Sequence, residues 1–259
     1  MSTINKVAKK AKVLSNNQID EDYFLLDIET PDQIRVSPGQ FLQLQINSKE
    51  QFLRRPFGIF QREAGSIKVL YKIRGDITAK MSLLKDGDEV DIIYPLGNGF
   101  KKVPAKKSIF VSGGSGFAPL NFMVNEFSRE ITEDDIFIIG SRGSECKSFG
   151  DNIESLDISI IYVTEDGSIG RKGIVTDALK DVLKDGVVVY ASGPIEMLKS
   201  VYSLIKGRTI ESYFSLESHF ACGLGFCWGC VIQTKDGLMR ICKDGPVFCG
   251  DDIVWEKIP

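Results

Sequence analysis

Five of the six cysteines in this 259-residue chain lie in its last 38 residues, at positions 222, 227, 230, 242 and 249. Three stand in one glycine-rich stretch, Ala221-Cys222-Gly223-Leu224-Gly225-Phe226-Cys227-Trp228-Gly229-Cys230, a C-x4-C-x2-C spacing, and Cys242 follows twelve positions later. That spacing is the plant-type arrangement for a [2Fe–2S] cluster. A compact loop must aim several thiolates at one group while its backbone wraps it. Gly223, Gly225 and Gly229 let amides approach the sulfurs, and those N–H groups offset the negative charge. Structural zinc sites pair their ligands as two C-x2-4-C halves, which a triple followed by a single fits less well. Unliganded core cysteines are the remaining reading. By spacing alone, Cys249 can replace Cys242 as fourth ligand. Cys146 is isolated and reads as a structural or incidental thiol.

The tail from about residue 211 has little apolar periodicity, and ~50 residues make too small a core to fold unaided. A metal centre supplies the missing stability. The only histidine, His219, excludes a His-rich metal site and leaves little for a Ser-His-Asp triad. A net charge of −3 argues against a nucleic-acid partner, which needs a broad basic face. No run approaches the ~18–20 apolar residues of a membrane span. Residues 1–12 carry lysines but lack the apolar stretch of a signal peptide. The expected compartment is therefore the cytoplasm, where clustered cysteines bind metal or do redox chemistry instead of forming disulfides.

The first hundred residues read as β. Short apolar or alternating runs at 23–28, 41–46, 67–73 and 90–94 are separated by turn chemistry, such as Ser37-Pro38-Gly39 and Asp86-Gly87. Period-two strands with regular turns predict a small antiparallel barrel. Past residue 105 the pattern changes to continuous apolar strands at 108–112, 136–140, 158–163 and 186–191. Helical spacing falls between and after them, at 120–127, 174–183 and beyond Pro194. Such alternation means a parallel sheet covered on both faces.

Within that region, Ser112-Gly113-Gly114-Ser115-Gly116-Phe117-Ala118-Pro119 follows a predicted strand and opens a predicted helix. There a parallel sheet presents backbone amides to a pyrophosphate. It is not a P-loop, because no Lys-Ser/Thr follows the glycines. Ser192-Gly193-Pro194 ends the last strand and is expected to flank the same dinucleotide. Arg142 reads equally as a phosphate or ribose contact and as a solvated loop arginine. Arg54-Arg55-Pro56-Phe57-Gly58 is a second basic motif; taken alone, its arginines read as a solvated pair. The stretch 95–100 reads as a turn closing the barrel.

Taken in order, these regions resemble the ferredoxin–NADP reductase superfamily. The narrower resemblance is to the electron transfer subunits of heteromeric, NAD-dependent dihydroorotate dehydrogenases. It is carried by Arg54-Arg55-Pro56-Phe57, residues 95–100, 113–120, 166–168 and 173–177, Gly193-Pro194, 221–230 and Cys242-Lys243-Asp244-Gly245-Pro246-Val247-Phe248. The resemblance implies an FAD-binding barrel over 1–103, an NAD-binding α/β domain over 104–210 and a [2Fe–2S] module over 211–259. It places Arg55, Pro56, Phe57 and Gly58 on the first flavin motif, Leu70, Tyr71 and Lys72 on the second, and Ile77 and Thr78 on a third. It places Gly113, Gly114, Gly116, Ser192, Gly193 and Pro194 at the nicotinamide dinucleotide. It assigns Cys222, Cys227, Cys230 and Cys242 as cluster ligands, with Cys242 preferred because it precedes Asp-Gly-Pro-Val-Phe. Gly58 stands where the family carries Ser or Thr, Ile77 where it carries glycine, and Ser192 where relatives often carry cysteine. The implied partner is an FMN-containing catalytic subunit, in a heterotetramer of two of each. The implied activity carries electrons from dihydroorotate to NAD. The alternatives are a reductase subunit of another iron–sulfur flavoprotein complex and a non-catalytic zinc-stabilised module.

Overall fold

The computed structural model describes residues 6–46, 52–104 and 106–258. Residues 1–5 of the lysine-bearing N-terminal segment, Ala105 beside the expected 103/104 boundary, and Pro259 lie outside the described residues. Six strands close an antiparallel barrel: β1 (Val7–Gln18), β2 (Tyr23–Glu29), β3 (Phe41–Ile46), β4 (Arg55–Glu63), β5 (Ser66–Lys72) and β6 (Glu89–Leu96). Their order is β1-β2-β5-β4-β3-β6, and β6 pairs with both β3 and β1 to close it. A short helix α1 (Asp76–Met81) crosses between β5 and β6. Leu26, Ile28, Leu42, Leu44, Ile67, Val69, Val90 and Ile92 fill the interior. Because side chains alternate along a strand, Leu42 and Leu44 point inward while Phe41 and Gln43 lie buried on the outer face.

Two of the six strands are absent from the sequence reading, and each has a local cause. The alternation of β1 is diluted by Lys9, Lys10 and Lys12, and in that stretch only Ala11 and Val13 are buried. The strand β4 opens on Arg55-Pro56, a pair that reads as loop; proline is tolerated there because it sits at the strand's beginning.

The second layer is a seven-stranded sheet. Its strands are β7 (Ser108–Gly113), β8 (Ile136–Ser141), β9 (Ser159–Thr164), β10 (Arg171–Lys172), β11 (Val188–Ser192), β12 (Glu211–Ser215) and, from the tail, β15 (Val247–Cys249). The order is β10-β9-β8-β7-β11-β12-β15, parallel except for β15. Helices α2 (Phe117–Glu126), α3 (Glu145–Gly150), α4 (Val175–Val182) and α5 (Ile195–Ile205) cover it. Pro194 is the N-cap of α5 and not its first helical residue. The barrel docks on this layer through α2, where the buried Asn121 side chain donates to the Phe60 carbonyl at 3.0 Å.

The tail, expected as a separate module over 211–259 that a metal centre stabilises, is joined to the sheet. The strand β12 is part of the parallel sheet, so the expected boundary at 210/211 falls within that sheet. After a hairpin of β13 (Val231–Thr234) and β14 (Gly237–Arg240) and a helical turn α6 (Ile241–Asp244), β15 returns to pair antiparallel with β12, Tyr213 opposite Cys249. Trp255 then packs at 5.0 Å on Tyr202 of α5 and at 4.8 Å on Phe214 of β12, and donates from Nε1 to the Gly250 carbonyl. A short segment without its own core thus borrows the core of the sheet. Trp255→Ala is expected to lower unfolding free energy by about 3–5 kcal/mol, as removal of a buried indole does. Equilibrium urea unfolding measures it, and a loss below about 1 kcal/mol would show that the tail is not fastened there.

Candidate functional site

In the parallel sheet the chain runs outward from β7 to β10 and then crosses back to place β11 on the other side of β7. A crevice opens where strand order reverses, at the carboxyl ends of β7 and β11. The glycine loop and the Ser192-Gly193-Pro194 turn both lie there, with Ser112 directly opposite Ser192. A Cβ on Gly116 would stand 2.4 Å from the Ser192 carbonyl oxygen and 2.6 Å from the Gly193 Cα. Only glycine lets the two turns approach so closely. Gly116 and Gly193 are thus packing positions, while Gly113, Gly114 and Pro194 face the cleft.

The cleft has two compartments. One is lined by Pro56, Phe57 and Gly58 of β4, Leu70, Tyr71 and Lys72 of β5, Thr78 of α1, and Ser192. Its opposite wall is Leu216, Glu217, Ser218 and Phe220, and Phe220 packs 5.0 Å from Phe41. The second compartment, about 730 Å³, is lined by Gly113, Gly114, Gly140, Arg142, Glu145, Glu165 and Pro194. Lys72 and Arg74 line both. Neither forms a salt bridge among the described residues, though the Arg74 charge bears on the Glu217 carboxylate in the wall of the first compartment. Lys72 lies 4.9 Å over the Tyr23 ring. Burial first, and then the Glu145 carboxylate, push the Tyr23 phenol up to about 12, so it stays neutral on the cleft wall.

Two expected flavin contacts are not in the cleft. Arg55 is exposed at the start of β4 and donates to the Leu53 carbonyl at 3.1 Å, while its neighbour Arg54 pairs with Asp91 at 2.6 Å. The Ile77 side chain packs with the barrel core. Sequence reasoning missed Arg74, whose signal is its place two residues beyond Lys72, on the same side of an extended chain. It also missed the 216–220 wall, which carries no motif of its own.

The cysteine loop lies against the first compartment, because Phe220 in its wall leads directly to Cys222. Four thiols come together as two pairs: Cys227 is the thiol that bears on Cys222, and Cys230 the one that bears on Cys242. Backbone amides aim at the sulfurs, with Leu224 donating to Cys222 at 3.4 Å, Gly229 to Cys227 at 3.5 Å and Cys242 to Cys230 at 3.5 Å. Burial opposes ionisation of Cys222, but the amides of Cys227, Leu224 and Phe226 and the Cys227 thiol bring it down to about 6. Burial, then the neighbouring Cys230, push Cys242 the other way. Among the described residues no three of Cys, His, Asp or Glu surround a single-ion position. Two thiol pairs under inward-facing amides suit a binuclear cluster, which takes two thiolates at each end, better than one tetrahedral ion. Cys249 stands apart in β15, beside Asp251 and Asp252.

Two further contacts fix the loop. The Arg240 guanidinium pairs with Asp244 at 2.9 Å, donates to the Gly225 carbonyl at 3.1 Å and lies 4.8 Å over the Trp228 ring. On the other side is Gln43, 1% exposed, whose Nε2 and Oε1 have no hydrogen-bond partner among the described residues. A Cβ on Gly223 would fall 2.5 Å from Gln43 Nε2, and Gly223 has φ +64°, so glycine is required there twice over. Leaving a buried amide group unsatisfied costs about 1–3 kcal/mol. Orphaned polar atoms beneath a sulfur-rich loop are what the residues would show if a polar group belongs between them.

Residues 217–254 match the sequence family described as the iron-sulfur cluster binding domain of dihydroorotate dehydrogenase B. Over 95% of its length the chain is 33% identical to the electron transfer subunit of dihydroorotate dehydrogenase B (NAD(+)) from Caldanaerobacter subterraneus subsp. tengcongensis, covering 98% of that protein. The chain belongs to this family of electron transfer subunits. The Clostridium acetobutylicum member is 35% identical over 94% of this chain and 96% of its own. Among solved structures, an NADH-dependent reduced ferredoxin-NADP oxidoreductase studied for flavin-based electron bifurcation superposes with a TM-score of 0.84 at 25% identity, over 95% of this chain and 90% of that one. A ferredoxin NADP+ reductase from Neisseria gonorrhoeae with bound FAD and NADP shares the fold of 81% of the chain and 99% of its own, with a TM-score of 0.68 at 18% identity.

The thiol chemistry is testable without any bound group. In the cluster-free chain, alkylation of Cys222 should rise through pH 6 and level off by about pH 7, since a thiol held near 6 is already thiolate above it. Cys242, whose thiolate is disfavoured, should stay unlabelled across that range. Peptide mass spectrometry after iodoacetamide pulses reads both, and equal labelling at pH 6.5 would contradict the assignment.

Proposed function

We propose that this chain is the electron transfer subunit of an NAD-dependent dihydroorotate dehydrogenase. Its role is to pass electrons from an FMN-containing catalytic subunit, through a [2Fe–2S] cluster and FAD, to NAD. The observation that carries the reading is contiguity. The 216–220 segment is one wall of the barrel-side compartment and runs straight into the cysteine loop. The chemistry supplied by the bound groups is two-electron exchange between flavin and nicotinamide and one-electron exchange at the iron–sulfur centre.

The chain's own residues place and shield those groups. Pro56, Phe57 and Phe220 give the first compartment apolar surface against which a flat ring can lie. Gly58 leaves room above that surface, since a Cβ there would meet only Pro119 at 3.8 Å. Lys72 and Arg74 offer positive charge to a diphosphate, because both line the two compartments, whereas Arg55 lies outside them. Gly113, Gly114 and Pro194 receive the second dinucleotide at the switch point. Cys222, Cys227, Cys230 and Cys242 hold the cluster. No residue of this chain need act as general acid or base, in keeping with its single histidine.

Phe226 and Trp228 stand 81% and 52% exposed on the cysteine loop. Exposed aromatics beside a redox centre suit docking of the catalytic subunit, in an assembly of two of each chain. Among the described residues no helix is long and apolar enough to cross a membrane. The clustered free thiols favour the reducing cytoplasm.

Anaerobically purified complex should carry FAD and two irons per copy of this chain and reduce NAD with dihydroorotate. A complex with both groups but no such activity would transfer the chain to another reductase assembly; a colourless chain holding one zinc would refute the redox reading. Cys242→Ser should lose the cluster while Cys249→Ser keeps it, by iron analysis and visible absorbance. Phe226→Asp should weaken association with the catalytic subunit about tenfold or more, by titration calorimetry, with iron content unchanged.

A further inference from the structure

Gln43 is the one side chain of the barrel's outer face with both polar ends buried and unpartnered among the described residues. It sits on β3 between two features. On the same face, two residues earlier, Phe41 lines the barrel-side compartment. Directly over Gln43 lies Gly223, in the loop between Cys222 and Cys227, close enough that any side chain there would collide with the Gln43 carboxamide. Leu42 and Leu44 on either side face the barrel interior, so strand alternation holds Gln43 toward the loop. The surroundings of its outer face, Phe41, Ile93 and Phe220, are apolar.

We propose that Gln43 donates a hydrogen bond from Nε2–H to a sulfur of the iron–sulfur group, and that this bond raises the group's reduction potential. The proposal rests on the cluster reading given above. A cluster sulfide or cysteine thiolate accepts and cannot donate, so Nε2 is the end that serves it. Reduction adds negative charge to the sulfurs, and an N–H donor aimed at them stabilises the reduced form more than the oxidised one. Burial strengthens the effect, because no water competes. Gln43 is thus a positioning and tuning residue contributed by the barrel, acting on a group whose ligands all come from the tail.

The test uses the native complex with glutamine side chains labelled with 15N. Iron and acid-labile sulfide analysis first establishes that the cluster is present; its absence would refute the cluster reading and not this one alone. In the reduced complex, pulsed EPR should detect a 15N hyperfine coupling from a side-chain amide, and Gln43→Leu should abolish it. Gln43→Leu should also shift the cluster midpoint potential to more negative values in an EPR-monitored redox titration, while Gln43→Asn shifts it less or not at all. A reduced cluster without the 15N coupling overturns the proposal, even if Gln43→Leu does not assemble. An intact cluster in Gln43→Leu with unchanged potential overturns it as well.

Discussion

Backbone pairing along β12 holds the separate parts of this molecule in one arrangement. On one side β12 continues the parallel sheet, Ser215 level with Ser192 of β11. On the other it receives β15, Ser215 opposite Val247, and the ladder is extended by the Leu216 N–H to the Pro246 carbonyl at 2.9 Å. The chain leaves β12 into the cleft wall and then the cysteine loop, and β15 brings it back. Both ends of the 216–246 excursion are therefore anchored to a rigid sheet at the switch point. A loop without a core of its own is positioned there as accurately as the strand it hangs from.

The barrel closes the arrangement from the opposite side. Asn98, in the stretch that reads from sequence as a simple turn, donates from its side chain to the carbonyls of Lys243 and Asp244, and its own N–H meets the Gly245 carbonyl. Phe41 and Gln43 of β3 support Phe220 and Gly223. The cysteine segment is thus gripped between two larger bodies, and each contributes groups that the segment lacks. The same economy appears in the cleft, where Lys72 and Arg74 at the end of one barrel strand serve both compartments. Any phosphate group received in either compartment would meet positive charge there.

Much of this was legible in the residues. Period-two runs foretold a barrel, continuous apolar strands foretold a parallel sheet, and β8, β9, β11 and α4 begin and end within two residues of the expected bounds. Failures were local where a strand's alternation was diluted, as by the lysines of β1, or masked by a motif, as at Arg55-Pro56. They were non-local where a residue's role depends on what packs over it. Arg54 and Arg55 stand out in sequence, yet Asp91 neutralises the first and the barrel rim turns the second away. Arg74 and Gln43 carry no motif, and only the approach of distant segments gives them work.

The sequence by itself determined the chemistry available: four thiols at a spacing suited to one cluster, glycines where backbone must come close, and no histidine machinery for proton transfer. These are properties of side chains and short spacings, which survive without knowledge of the fold. Only the tertiary structure decided that the tail belongs to the sheet, that the thiols meet as two pairs, which cations face the cleft and that a barrel glutamine lies under the loop. The thiol pairs span 5 and 12 positions, but the others depend on contacts between residues dozens to nearly two hundred positions apart. Such contacts arise from burying shared apolar surface and satisfying backbone hydrogen bonds across the whole chain, and no local pattern encodes them.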